Sequence, residues 1–242
     1  MPVAVVTGAS RGLGRAVAAE LAVRGWDLVV DGRDADALRE AAAELDRAAP
    51  GGAGGRVAAV PGDVASAAHR AELVAAAGRL AGGAGLDLLV NNASALGAEP
   101  LVPLAELPEE GLRRALEVNV LAPFALVRAA LPLLRAAGGA VLDVSSDAAV
   151  EAYPAWGGYG ASKAALEQLS AVLAVEEPGL RVWWVDPGEM RTRLYAAAEP
   201  GSPRFDELPL PREVAPVLLR LLDGPGGPAP SGRYTAATLR EA

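Results

Sequence analysis

The stretch Val3-Ala4-Val5-Val6-Thr7-Gly8-Ala9-Ser10-Arg11-Gly12-Leu13-Gly14 decides the architecture. Residues 3–7 are an apolar run without alternation, which reads as a strand covered on both faces. Glycines follow at once, and residues 13–24 continue as an apolar-periodic helix. A strand, a glycine-rich turn and a helix N-terminus together make an anion site, because unpaired N–H groups and the helix dipole both favour negative charge. Gly8 permits the tight turn, Gly12 lets a pyrophosphate approach the backbone, and Gly14 lets the helix pack on the strand. The spacing is G-x-x-x-G-x-G, longer than G-x-G-x-x-G. In a chain with 28 glycines the same pattern also reads as a plain strand-to-helix turn, so a second signal is needed.

Outward from this turn, short apolar runs alternate with longer amphipathic stretches. Strands are predicted over 3–7, 28–31, 56–61, 86–91, 140–145, 181–186 and 233–235. Helices are predicted over 13–24, 35–49, 67–80, 108–137, 159–175 and 211–222. This order implies an α/β fold: a Rossmann-like, doubly wound parallel sheet of about seven strands, helices on both faces, right-handed crossovers. The glycine- and proline-rich links at 50–55 and 225–230 do not separate self-sufficient segments, so 1–242 reads as a single domain. Residues 199–211 are rich in proline and charge and follow a strand end, where substrate loops of open α/β sheets lie. A substrate loop over about 189–211, with Leu194, Tyr195 and Phe205, suggests a partly apolar ketone or alcohol.

Composition narrows the classes. Of 242 residues 52% are hydrophobic and 21% charged, a globular balance. The net charge of -8 disfavours nucleic acid and anionic membranes as general partners. There is no cysteine, which excludes disulfides, thiolate catalysis and cysteine metal sites. A reducing cytoplasm fits. The start, Met1-Pro2, carries no basic segment or signal-peptide core. No uninterrupted apolar run is read as long enough to span a bilayer. The single histidine, His69, reads as an exposed helix residue. Without a second histidine, neither a histidine metal site nor a histidine triad is expected, so no metal is assigned. A general acid must therefore be a carboxylate, a tyrosine or a lysine.

The second signal is Tyr159-Gly160-Ala161-Ser162-Lys163, at the start of a helix pattern, with a phenol and an ammonium four residues apart on one face. A free phenol titrates near pH 10. One positive charge about 4 Å away is worth up to roughly 4 kcal/mol at intermediate dielectric, enough to lower it by about 3 units before burial takes some back. Y-x-x-x-K alone is also an ordinary surface pair. Lys163, however, is the only lysine; the other 21 basic residues are arginines. Lysine and arginine differ most where a pKa must be tuned or a sugar hydroxyl addressed.

With these two motifs the chain resembles the short-chain dehydrogenase/reductase family, single-domain branch, over nearly its whole length. Thr7 to Gly14 is similar to its T-G-x-x-x-G-x-G turn. Asp63-Val64 matches the acid that meets adenine, and Asn91-Asn92-Ala93 matches N-N-A-G. Asn119 matches the helix asparagine of the catalytic set, and Ser146 stands thirteen residues before Tyr159. Pro187-Gly188 and Thr192 match P-G-x-x-x-T at the nicotinamide end. The resemblance implies that Tyr159 donates a proton to the substrate oxygen as hydride arrives. It implies that Lys163 lowers the pKa of Tyr159 and bonds the ribose, that Ser146 polarises the carbonyl, and that Asn119 holds a water relaying protons to Lys163. The implied cofactor contacts are Gly8, Ser10, Arg11, Gly12, Leu13, Gly14, Arg33, Asp63, Val64, Asn91, Ala93, Tyr159, Lys163, Pro187, Gly188, Met190 and Thr192. Three positions depart from the pattern: Ser94 replaces the glycine of N-N-A-G, Trp183-Trp184 replace smaller residues, and Asp186 precedes Pro187.

An acid at the end of the second strand selects NAD, and an arginine there accommodates NADP. Here the acid's position falls on Gly32, followed by Arg33, with Arg11 as a second cation. NADP(H) is therefore expected, with NAD(H) possible through Asp31 one position earlier. The expected reaction is hydride transfer between nicotinamide and a small-molecule carbonyl or alcohol. The rival readings are a non-catalytic nicotinamide-binding regulator or scaffold and a non-redox lyase, epimerase or dehydratase. Relatives assemble through the helices here predicted over 108–137 and 159–175, so a homodimer or homotetramer is expected.

Overall fold

The computed structural model describes residues 1–48, 55–223 and 227–241. Its strands are β1 (Val3–Val6), β2 (Asp27–Gly32), β3 (Val57–Pro61), β4 (Leu88–Asn91), β5 (Ala140–Val144), β6 (Arg181–Asp186) and β7 (Gly232–Thr235). All pair in parallel, in the order β3-β2-β1-β4-β5-β6-β7. This is the doubly wound Rossmann-like sheet. The order reverses between β1 and β4, and a crevice opens there at the carboxyl ends of the strands.

Side-chain parity divides the apolar strands between two cores. Ala4 and Val6, Leu28 and Val30, Leu88 and Val90, and Leu142 face one side. They meet α1 (Gly12–Val23), α2 (Ala35–Ala48) and α8 (Pro211–Leu218) through Val17, Leu21, Leu38, Leu45, Val214 and Leu218. Val3, Val5, Val29, Leu89, Val141 and Val182 face the other, against α3 (Ala67–Ala81), α5 (Ala122–Ala137) and α6 (Gly157–Glu176). Each fully buried leucine or valine contributes about 1.5–3 kcal/mol, which explains why the strands carry no polar alternation. Trp183 is fully buried, and its indole N–H donates to the Ala229 carbonyl at 3.0 Å. Trp184, partly buried, packs on the opposite face against the second core.

Several expectations change. The helix predicted over 108–137 is α4 (Glu109–Leu116), a π-helical turn (Glu117–Leu121) and α5 in succession. Contrary to the sequence reading, residues Glu109–Ala137 are long and apolar enough to cross a bilayer by length and composition. In the fold that apolarity is used against the sheet, through Leu126, Val127, Ala130 and Leu134. His69 is not exposed. It is buried in the first turn of α3, with Nε2 2.9 Å from Asp31 Oδ2. Two helices were not anticipated, α7 (Arg193–Ala198) and α9 (Ala236–Glu241). Position 49 of the second predicted helix, positions 50–54 of the first link and positions 225–226 of the second lie outside the described residues.

Candidate active site

The glycine turn is built from both of its neighbouring strands. Thr7 Oγ1 donates to the Val90 carbonyl and accepts the N–H groups of Asn92 and Ala93 at 2.9 and 3.1 Å. Asn92 Nδ2 returns a bond to the Thr7 carbonyl at 2.8 Å. Gly8 N–H donates to Asp31 Oδ1 at 2.6 Å, and Ala9 N–H to the Asp31 carbonyl at 2.8 Å. Gly8 and Gly12 have φ of 66° and 59°, which favours glycine. A Cβ on Gly14 would lie 2.5 Å from the Gly8 carbonyl oxygen, so helix and turn pack without room for one.

The resulting helix end is open. Arg11, the N-cap of α1, is extended and makes no side-chain cap bond, and the first turn holds no acidic residue. Its first N–H groups therefore keep their capacity for an anion. Thr192 stands across the opening, its methyl 3.8 Å from where a Cβ of Gly12 would be. That approach brings the segment after β6 onto the turn. Asp186 Oδ1 accepts Gly188 N–H at 2.9 Å, Gly188 has φ of 72°, and Thr192 caps α7 through Tyr195 N–H. A cradle of amides sized by glycines fits a dinucleotide pyrophosphate.

Beside the turn, a Cβ on Gly32 would meet Ser10 Oγ at 2.9 Å, so β2 and the turn touch. Arg33 is exposed next to it, and Arg11 Nη2 lies 3.5 Å from Asp34 Oδ2. Asp31 is buried, with Oδ1 on Gly8 and Oδ2 on His69, and is not presented to the crevice. Asp63 accepts Ala65 N–H at 2.9 Å and Arg114 Nη2 at 2.7 Å. Although burial acts against it, these bonds and the charge of Arg33 hold its carboxyl below the usual range. The side chains of Leu13, Val64 and Met190 are taken up by packing, and Asn91 Nδ2 is committed to Asp143 Oδ1 at 2.7 Å.

The reactive side chains converge from β5, α6 and the π turn. Ser146 follows β5; its Oγ donates to Asp147 Oδ1 at 2.9 Å and accepts Ala148 N–H at 3.2 Å. Its neighbour Ser145 donates to Glu167 Oε1 at 2.6 Å. Arg233 of β7 bonds that same carboxylate at 3.1 Å and reaches the Ser146 carbonyl at 3.4 Å. Tyr159 lies in the first turn of α6 with Trp156 edge-on, ring centroids 5.6 Å apart. Lys163 is 2% exposed, donates to the Val144 carbonyl at 2.7 Å and sits 5.5 Å from the Tyr159 ring centroid. Asn119 occupies the π turn, a local irregularity typical of functional sites. Its Nδ2 donates to Ala95 O and to Ser162 Oγ at 2.8 and 2.9 Å.

The electrostatics differ from the two-charge argument. Burial pushes the Tyr159 phenol up to about 12; Asp147 and Asp186 push the same way, and the Ser94 hydroxyl opposes them. Burial also lowers Lys163 to about 8, against the pull of Asp143 and Glu167. The ammonium's bond is to Val144, and burial dominates the titration of the phenol. The phenol is thus held as an acid until something else in the site favours the anion.

Asn92, Asp143, Asp147, Ser162, Glu167 and Arg233 were not assigned as site residues from the sequence. Glu167 carried a signal, one turn beyond Lys163 on the same face. Asp143 stands in an otherwise apolar strand, which is itself a sign. Arg233 is 66 residues from its partner and carried none.

The sequence profile described as short chain dehydrogenase matches residues 2–202. A rhamnolipid-biosynthesis 3-oxoacyl-[acyl-carrier-protein] reductase of Pseudomonas aeruginosa is 34% identical over 219 residues, 86% of this chain and 81% of the relative. The alcohol dehydrogenase of Thermococcus sibiricus complexed with 5-hydroxy-NADP superimposes with a TM-score of 0.84 at 31% identity, covering 97% and 95% of the two chains. A short chain dehydrogenase from Shigella flexneri complexed with NADP gives a TM-score of 0.86 at 28% identity, covering 98% and 97%.

Proposed function

The chain belongs to the short-chain dehydrogenase family and is a nicotinamide-dependent oxidoreductase acting on CH–OH or C=O groups; from that premise we propose that it uses NADP(H), with Tyr159 as general acid/base. The observation that carries this reading is the convergence at the carboxyl ends of the sheet's strands. The uncapped α1 terminus closes the carboxyl end of β1, and Ser146, Tyr159 and Lys163 gather at that of β5.

A bound nicotinamide supplies or accepts the hydride. The amides of the turn at Gly12 and Leu13 hold the pyrophosphate, and Thr192 orients the nicotinamide end. Tyr159 gives its O–H proton to the substrate oxygen as the carbon accepts hydride, and takes it back in oxidation. Ser146 turns its hydroxyl from Asp147 to the substrate oxygen, where negative charge develops. Lys163, anchored on Val144, presents its remaining N–H donors to the ribose.

NADP(H) is favoured because Asp31 is consumed inside the fold and Arg33 and Arg11 flank the place of a ribose phosphate. Two neighbouring structures carry NADP or its 5-hydroxy derivative. Tyr195 stacks on Phe205, ring centroids 6.3 Å apart, which gives the 189–211 segment the apolar surface for a partly apolar ketone or alcohol. Assembly as a homodimer or homotetramer is proposed from Leu121 and Phe124 near the start of α5 and Leu169, Val172 and Val175 on α6. All five are exposed, and both helices pack on one side of the sheet.

The deciding test is fluorescence titration with NADPH and NADH, followed by a screen of ketones with the preferred cofactor. Tighter NADPH binding and turnover lost in Tyr159→Phe are expected. Binding without turnover of any carbonyl would support a regulatory nicotinamide-binding role instead.

A further inference from the structure

The last strand of the sheet reaches the serine of the site. Arg233 pairs in register with Trp184, and Trp184 packs on the face of the sheet that α6 covers, so Arg233 points to α6. There it meets Glu167. Its Nε donates to both oxygens of that carboxylate at 3.1 Å, and its Nη2 donates to the Ser146 carbonyl at 3.4 Å. Glu167 Oε1 also accepts the Ser145 hydroxyl at 2.6 Å, and Ser145 N–H donates to the Val185 carbonyl at 2.7 Å. Glu167 and Ser145 are buried. One guanidinium and one carboxylate thus tie the Ser145–Ser146 segment to β7 and α6, while its backbone is tied to β6.

We propose that Arg233 and Glu167 are positioning residues for the reaction, which fix the Ser146 peptide so that the serine hydroxyl meets the substrate oxygen in one orientation. The inference rests on the oxidoreductase reading above. A buried ion pair adds little stability over an apolar pair of the same size, so burial alone does not account for this one. Its place does. Ser146 Oγ bonds Asp147 and Ala148, both of which follow it directly in the chain. The hold on its carbonyl comes from Arg233, on another strand. When the hydroxyl turns from Asp147 to the substrate, that hold keeps the peptide from following, and the donor stays where negative charge develops. Arginine suits the task. Its planar fork addresses a carboxylate and a carbonyl at once, whereas a lysine ammonium is a point charge. Arg233 lies well beyond Thr192, the last of the motif residues, so the site is completed by the end of the chain.

The test reads the Ser146 carbonyl directly. Ser146 is the only serine followed by aspartate, so carbonyl-13C serine combined with 15N aspartate gives one correlation, from that peptide. In Arg233→Ala, and in the charge-balanced pair Arg233→Met with Glu167→Gln, this carbonyl resonance is expected to move upfield, as on loss of a donor. With NADPH and the ketone reduced fastest in the screen above, kcat is expected to fall roughly ten- to hundredfold while KM and NADPH affinity stay within about twofold. Ethylguanidinium in solution restores part of the rate to Arg233→Ala. Arg233→Lys, which keeps a charge beside Glu167 but not the fork, stays slow. A resonance that does not move overturns the contact whatever the protein turns over. A kcat within about twofold of native, a loss of rate matched by loss of NADPH affinity, or a fully active Arg233→Lys each overturns the positioning role. A native protein that reduces no ketone overturns the oxidoreductase reading, and the positioning role with it, while the resonance still reports the contact.

Discussion

Gly8 hangs its backbone N–H on the Asp31 carboxylate at 2.6 Å, and the other oxygen of that carboxylate meets the only histidine of the chain. An acid that by position could have contacted a ribose is instead a brace for the first glycine of the turn. Asp31→Ala leaves the part-buried Gly8 N–H without its acceptor and the buried His69 without its partner. Destabilisation of about 2–4 kcal/mol is expected by urea unfolding. NADPH and NADH affinities should fall together. A selective loss of NADH binding would return Asp31 to the role of ribose ligand.

Arg33→Ala separates the cofactors. A charge-assisted bond to a phosphate is worth about 1.5–3 kcal/mol, so NADPH affinity should fall roughly ten- to hundredfold while NADH affinity stays within about twofold. Arg11→Ala should act in the same direction but less, since Arg11 already lies near Asp34. An unchanged NADPH/NADH ratio in Arg33→Ala would remove that residue from the phosphate site.

Lys163 makes stability depend on pH in a defined window. Its folded-state pKa of about 8 lies below the ordinary 10.5. Below pH 8 the ammonium is charged in both states and the burial penalty is fully present. Between pH 8 and 10.5 the unfolded chain binds more protons, so stability rises with pH, by about 3 kcal/mol in total. Lys163→Met should lack this rise and be more stable near pH 7, with turnover lost. Parallel stability profiles for the two proteins from pH 7 to 10 would contradict it.

Phe124 and Val172 are 46% and 42% exposed on helices that share one side of the sheet. Phe124→Asp combined with Val172→Asp places two charges on that surface. Light scattering at micromolar protein should show an oligomer for the native chain and a monomer for the double variant. A native monomer would refute the proposed assembly.

The sheet was legible because its central strands are buried on both faces, so each apolar run marks a strand directly. The glycine turn and the lone lysine were legible because each is a residue choice with few physical alternatives. The His69–Asp31 pair was not, since its partners are 38 residues apart and histidine in an amphipathic helix gives no sign of which side it faces. The π turn at Asn119 was missed because one extra residue per turn barely disturbs the periodicity of a helix rich in alanine and leucine. The extent of the phenol's burial, and Asp147 and Asp186 acting on it from other segments, were not legible, because spacing reveals only the nearby lysine.

The burial of Lys163 also gives the molecule a proteolytic clock. A lysine-specific endoprotease has one cleavage point in this chain, inside α6 and closed to solvent. Cutting requires that helix to leave the sheet, so the digestion rate measures the opening of the core itself, free of the loop and terminus nicking that complicates such assays in lysine-rich proteins. A cofactor that binds only the closed form should slow this clock in proportion to its occupancy, giving a binding measurement that needs neither a substrate nor an optical signal.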